Sequence, residues 1–240
     1  MRSIRMWFAA AGILIFAAAA SAQMGGMMGG MGMGGSFRGV WSPVVGAGAL
    51  YEMQNQRQGA SGGPQQIQIA IVGQDTVNGQ PAYWMEMSMD SPRGGGTIYI
   101  KYLFVLEAGT VKPTRMIIQP PGRGPMEMPV GGMGGGGQMG GRGQQAPQSA
   151  DISKQAQDLG SESVTVPAGT FTAEHYKSSD GADVWVSPKV SPWGLVKMTS
   201  PNANMTLLKV ITDAKDMITG TPQVFDPGQM RPGGGGPPQQ

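Results

Sequence analysis

The sequence predicts a mainly β fold: a single antiparallel sheet with one or two short helices, Gly/Met/Pro-rich tails and a low-complexity insertion. Three observations lead there. From Glu162 to Ile211, nearly every residue follows the two-residue alternation of a half-buried strand. Two dipeptides, Asn78-Gly79 and Asp180-Gly181, carry the chemistry of a type I′ hairpin turn, in which both central residues need positive φ. Gly 41 and Pro 19 together make a quarter of the 240 residues, and they are clustered, so the foldable part is shorter than the chain. A single domain of roughly 150 to 170 residues is expected, enough to bury a core.

The N-terminus reads as an export signal. Met1 to Arg5 is basic, residues 6–20 are apolar, and Ala20-Ser21-Ala22 offers small residues at −3 and −1 of a cleavage site before Gln23. A retained anchor is the competing reading, but it needs about 20 apolar residues, and this run is short of that. No cysteine follows to carry a lipid, and cysteine is absent throughout, which excludes disulfides, thiolate nucleophiles and Cys-type zinc sites. A periplasmic or secreted bacterial protein is expected, with no transmembrane segment once residues 1–22 are removed. Lys+Arg 17 oppose Asp+Glu 15, and two of the arginines lie in the leader, so the mature chain is formally neutral. Such a chain lacks the phosphate-neutralising charge that nucleic-acid binding depends on.

Residues 23–36 are a Gly/Met-rich tether. Its Met24, Met27, Met28, Met31 and Met33 are soft thioethers of the kind that select Cu(I) or Ag(I). The competing reading is low complexity without a ligand, since no His or Cys accompanies them. The β-domain then spans residues 37–225. Gly46 to Gln54 is a first strand. Gln66 to Val77 and Gln80 to Asp90 form a hairpin about Asn78-Gly79. In the outgoing strand Tyr83, Met85, Met87 and Met89 share one face, and Trp84, Glu86 and Ser88 share the other. Thr97 to Leu106 is almost continuously apolar, so it is buried on both faces or bent across a sheet. Lys112 to Gln119 is another strand. Residues 121–150 form the insertion, in which Met126 to Val130 is a candidate for a brief return to the sheet.

Asp151 to Leu159 is the best helix candidate, capped by Ser149 or Asp151 at its start and by Gly160 after its end. Ile152, Ala156 and Leu159 would pack it onto the sheet. Strands follow at Ser163 to Pro167, Thr170 to Ser179, Ala182 to Ser187, Leu195 to Thr199 and Met205 to Ile211. A two-residue turn at Asp180-Gly181 places Tyr176 opposite Trp185. After Asp213 the chain is expected to leave the sheet, and residues 226–240 form a Pro/Gly-rich tail.

Catalytic signals are lacking. His175 is the only histidine, it lies mid-strand, and no nucleophile elbow accompanies it. The acids Asp75, Asp90, Asp158, Asp180 and Asp183 are scattered over turns and strand ends rather than paired across a cleft. No enzymatic activity and no cofactor is expected. Trp41, Trp84, Trp185 and Trp193 are either core or the rim of an apolar cavity.

The segments VPAGTF (Val166 to Phe171), VWVSP (Val184 to Pro188) and PWGLVK (Pro192 to Lys197), with GALYEMQ and IVGQDTVNGQPAYWMEM upstream, resemble exported bacterial domains with a LolA/LolB-like half-barrel. That is the fold of the outer-membrane lipoprotein carriers. The resemblance implies an open, strongly curved antiparallel sheet, helices plugging its concave side, and an apolar cavity between them. The function expected from elimination and resemblance is binding of an apolar or amphiphilic ligand, such as a lipid or lipoprotein. Tyr83, Trp84, Met85, Met87, Tyr176 and Trp185 are the candidate wall residues. The alternatives are a Met-rich Cu(I)/Ag(I) binder and a structural or assembly protein that meets an envelope partner. N-terminal sequencing of the mature protein is expected to begin at Gln23; a chain that still begins at Met1 would show that the leader is retained.

Overall fold

The computed structural model describes residues 38–56, 63–91, 94–107, 110–128, 130, 150–201 and 203–224. The leader, the tether with its five methionines, the Gly131 to Gln148 run and the residues after 224 lie outside the described residues. What is described is one open 12-stranded sheet beside a 2-stranded one. The first half contributes β2 (Gly48–Asn55), β3 (Gln65–Val77), β4 (Gln80–Asp90), β5 (Thr97–Glu107), β6 (Thr110–Gln119) and β7 (Met126–Met128). The second half contributes β9 (Gln157–Val166), β10 (Gly169–Lys177), β11 (Asp183–Val186), β12 (Leu195–Thr199) and β13 (Ala203–Ile211). Each half is a meander of sequential antiparallel neighbours, and β13 pairs back with β2 to weld the two into one sheet. The smaller sheet pairs β1 (Arg38–Gly39) in parallel with β8 (Ala150–Asp151).

The alternating pattern explains the core. Inner-face residues of every long strand, from Tyr51, Ile69 and Met87 to Phe104, Phe171, Val184 and Leu207, form one buried cluster. A flat single sheet cannot bring residues so far apart in strand order into contact, so the sheet curls around its apolar face. The apolar run of β5 is buried on both faces from Ile100 to Val105, as its composition requires.

The turn at Asn78-Gly79 has the expected two-residue form: Val77 pairs with Gln80, and both turn residues have positive φ (50° and 76°). The second turn differs. Lys177 pairs with Asp183, and Ser178 N–H bonds Ala182 O at 2.9 Å, so the loop holds three residues, and of these Gly181 takes positive φ (85°). This is a type I turn followed by a left-handed residue, the usual three-residue hairpin. The register moves by one, and Trp185 lies opposite His175 rather than Tyr176, which faces Val184.

Two further expectations are corrected. The helix over Asp151 to Leu159 shrinks to α1 (Ile152–Gln155), still capped by Asp151, whose Oδ1 accepts from Ser153 N–H at 3.1 Å. From Gln157 onward the chain joins β10 instead, because a nine-residue helix with few apolar positions gains less than a ten-residue ladder does. The chain also stays on the sheet after Asp213. Residues 214–222 cross its outer face, and β14 (Gln223–Val224) pairs in parallel with β7.

Two glycines separate backbone strain from steric clash. A Cβ at Gly181 would meet nothing within 4 Å, whereas one at Gly194 (φ 72°) would sit 2.5 Å from Val186 Cγ1 and 3.0 Å from Ser187 O. Gly181→Val is expected to cost about 1–3 kcal/mol through φ alone. Gly194→Ala should cost more than Gly181→Ala, because the tight turn must also open. Paired chemical melts check the order, and equal midpoints for the two alanine variants would contradict it.

Candidate functional site

The concave side is occupied by two short segments. After β1 the chain runs antiparallel to the Pro188–Gly194 turn: Val40 N–H bonds Trp193 O at 2.9 Å and Ser42 N–H bonds Pro192 O at 2.7 Å. This apposition sets Trp41 against Trp193, with ring centroids 4.5 Å apart and the ring planes tilted by 50°. Both tryptophans reach Phe104 (5.5 and 6.0 Å), and Trp41 meets Tyr83 edge-on at 6.3 Å. Trp193 Nε1 donates to Met85 Sδ at 3.3 Å. Where the LolA-like resemblance implies helices as the plug, this chain uses two tryptophans and the four-residue α1.

The aromatic group lies where β3 to β6 extend beyond the first residue of β2, since Gly48 pairs with Ala70 while β3 continues to Val77. There the inner face opens. Trp193 and Phe104 are buried, Trp41 and Tyr83 are half-buried, and Val40 (39%) and Leu106 (45%) are exposed. Leu106 shares the face of Phe104 by alternation and pairs with the buried Val111.

The six candidate wall residues divide between two faces. Tyr83, Met85, Met87 and Tyr176 point inward, with Met85 and Met87 fully inside the core. Trp84 points outward, between Lys101 Nζ and Arg115 Cζ, each 5.2 Å from its ring. Trp185 also lies outside, stacked on His175 (4.4 Å, 18°) with Lys197 Nζ 5.0 Å from its ring, and its indole N–H bonds Glu162. The His175 ring nitrogens face Glu162 (3.3 Å) and Asp183 (3.0 Å). A hydrogen bond from Lys177, with a smaller contribution from His175, holds Asp183 below the usual carboxylate range. These groups tie β9, β10, β11 and β12 together. Among the described residues no group of three or more His, Asp or Glu is placed to hold a metal ion, and no helix is long and apolar enough to cross a membrane.

Sequence reasoning missed Phe104 and Leu106, although the alternation Ile98, Ile100, Tyr102, Phe104, Leu106 places them on one face. It also missed the outer-face strap. A cross-strand row of Ala70, Glu86, Lys101 and Ile117 lies on the convex side, all under 8% exposed. The strap buries it. Ala214 N–H bonds Gly46 O, the Met217 and Ile218 amides donate to the Glu86 carboxylate at 3.1–3.2 Å, and Asp216 holds Lys101 at 2.6 Å. Burial, reinforced by the neighbouring Asp216, pushes Glu86 up to about 7 against the opposing pull of the two amides.

No protein-family model and no curated protein matches the chain. Among solved structures, it is similar to a protein from Bacteroides fragilis described as exported with a YmcC-like fold. The identity is 10% and the TM-score 0.37, over 72% of this chain and 99% of that one. It is also similar to a protein from Parabacteroides distasonis described as a lipoprotein, at 14% identity and a TM-score of 0.33, over 73% and 100%. Likeness at this level assigns neither the carrier family nor an activity.

Because Glu86 takes up its proton near pH 7 when folded and near 4.5 when unfolded, the native state binds more protons between those values. Stability is therefore expected to fall as pH rises from about 4.5 to about 7, by on the order of 1–3 kcal/mol. Glu86→Gln should flatten that slope in denaturant melts. An unchanged slope would show that Glu86 is already ionised beneath the strap.

Proposed function

We propose that this protein is an exported, non-enzymatic β-domain that binds an apolar or amphiphilic ligand of the lipid class at the open aromatic end of its curved sheet. One observation carries the reading. The core does not close there: Trp41 and Tyr83 are half-buried at the rim, while Leu106, on the face of Phe104, and Val40, the chain neighbour of Trp41, are exposed. An apolar chain laid across that rim would extend the buried cluster and remove exposed apolar surface from water, the main source of affinity for such ligands. Aromatic rims suit amphiphiles because Trp and Tyr offer a wide apolar face with a polar edge. Met85 and Met87, directly beneath, are flexible enough to repack around ligands of different shape. Tyr83, Met85 and Met87 belong to this site, whereas Trp84, Tyr176 and Trp185 do not adjoin the rim. The export-type leader and the lack of a catalytic constellation support an envelope role without chemistry.

The test uses residues that are already exposed, so that folding is spared. Val40→Asp and Leu106→Asp are expected to keep the wild-type melting temperature and to weaken binding of an apolar fluorescent probe by about tenfold or more. Probe affinity unchanged in both variants would exclude this rim. Native mass spectrometry of protein purified from its own envelope would then identify the natural ligand directly.

A further inference from the structure

At the opposite end of the same inner face, the registers place three methionines side by side. Met198 of β12 pairs directly with Met205 of β13, and Met205 pairs directly with Met53 of β2. Directly opposed residues point to one face, with Cβ atoms about 4.5–5.5 Å apart. That face is the inner one: Met53 (3%) and Met205 (5%) belong to the core, and the half-buried Met198 packs against it. The row lies one residue pair from the β12–β13 turn, because Thr199 pairs with Asn204, so it stands near the sheet's end, where Met198 opens it to solvent.

We propose that Met198, Met205 and Met53 form a thioether site for a soft monovalent cation, Cu(I) or its analogue Ag(I). Thioether sulfur is soft, and it discriminates against the hard cations that oxygen ligands hold. The central Met205 flanks both of its neighbours. Two rotatable bonds, Cα–Cβ and Cβ–Cγ, set the position of each sulfur, and concave curvature brings side-chain tips closer than their backbones. Bringing the three sulfurs onto one cation then calls for side-chain rotation between adjacent strands rather than a change of register. Leucine at these positions would fill the same space, so the sulfur adds a coordinating atom that packing does not require. A thioether carries no proton to displace, so binding is expected to be insensitive to pH across the range where His and Cys sites lose metal. The site shares no residue with the aromatic rim and stands or falls apart from it.

The experiment titrates Ag(I) alone into the full mature chain and reads both stoichiometry, by native mass spectrometry, and melting temperature. A cation held by the folded sheet stabilises it, whereas one held only outside the cooperative unit does not. Three proteins are compared: wild type; the chain with Met24, Met27, Met28, Met31 and Met33 replaced by leucine; and Met53→Leu/Met198→Leu/Met205→Leu. The first two are expected to melt several degrees higher with Ag(I), and the third to show no shift and to bind one cation fewer. Should the triple variant fold poorly, Met198→Leu alone, at the half-buried position, is expected to weaken the stabilising Ag(I) event by about tenfold. No upward shift in wild type, or an equal shift and stoichiometry in the row variants, would overturn the site.

Discussion

The fold rests on the contact between Trp41 and Trp193. A single sheet has no second layer to cover its apolar face, so whatever the curl leaves open must be filled by the chain itself. The turn from Ser187 to Gly194 delivers Trp193, the strand-like run after β1 delivers Trp41, and the two rings sit 4.5 Å apart over Phe104. Aromatic side chains bury on the order of 150–250 Å² each, so this pair supplies much of what a plug helix would supply elsewhere. The pair also links distant parts of the chain: residue 41 precedes the first meander, and residue 193 lies within the second.

The outer face meets the same problem by a different device. Ala70, Glu86, Lys101 and Ile117 would form an exposed row on a bare sheet, and the strap over them turns it into a thin second core. Buried polar groups are costly without partners, and both here have them: Asp216 pairs with Lys101, and two backbone amides donate to the Glu86 carboxyl, which burial holds protonated up to about pH 7. The strap ends as β14 on β7, so the C-terminal segment connects the β2–β13 junction to the far edge of the sheet. At that junction Tyr51 Oη donates to Leu195 O at 2.9 Å inside the core, and burial raises its pKa well above the ordinary tyrosine range. Both faces therefore fasten the two meanders together.

The two proposed sites lie at the ends of the inner face rather than in its middle. Ile69 and Leu207 are enclosed in the middle, where they serve packing, whereas Tyr176 pairs with Val184, which pairs with Met198, and so lies in line with the methionine row. Access exists at the aromatic rim of β4 and β5 and at the half-buried Met198 on β12. Residue chemistry separates the two ends: wide, flat rings suit an apolar chain, and thioethers suit a soft cation.

Local patterns in the sequence were enough to place the β3–β4 hairpin, its Asn78-Gly79 turn and the face shared by Tyr83, Met85, Met87 and Met89. All of these follow from local rules: side chains alternate along a strand, and only certain residues accept positive φ. Tertiary structure decided the rest. Asp180-Gly181 is compatible with a two- or a three-residue loop, and pairing across the whole β10–β11–β12 segment selected the longer one, which moved Trp185 from Tyr176 to His175. Residues 157–159 carry helical spacing, yet β10 offered them a ladder. The partners of Glu86, the meeting of Trp41 with Trp193 and the row of Met198, Met205 and Met53 join residues more than a hundred positions apart, except for Met198 with Met205. No local period encodes such contacts, because curvature and strand closure are properties of the assembled sheet and not of any one strand.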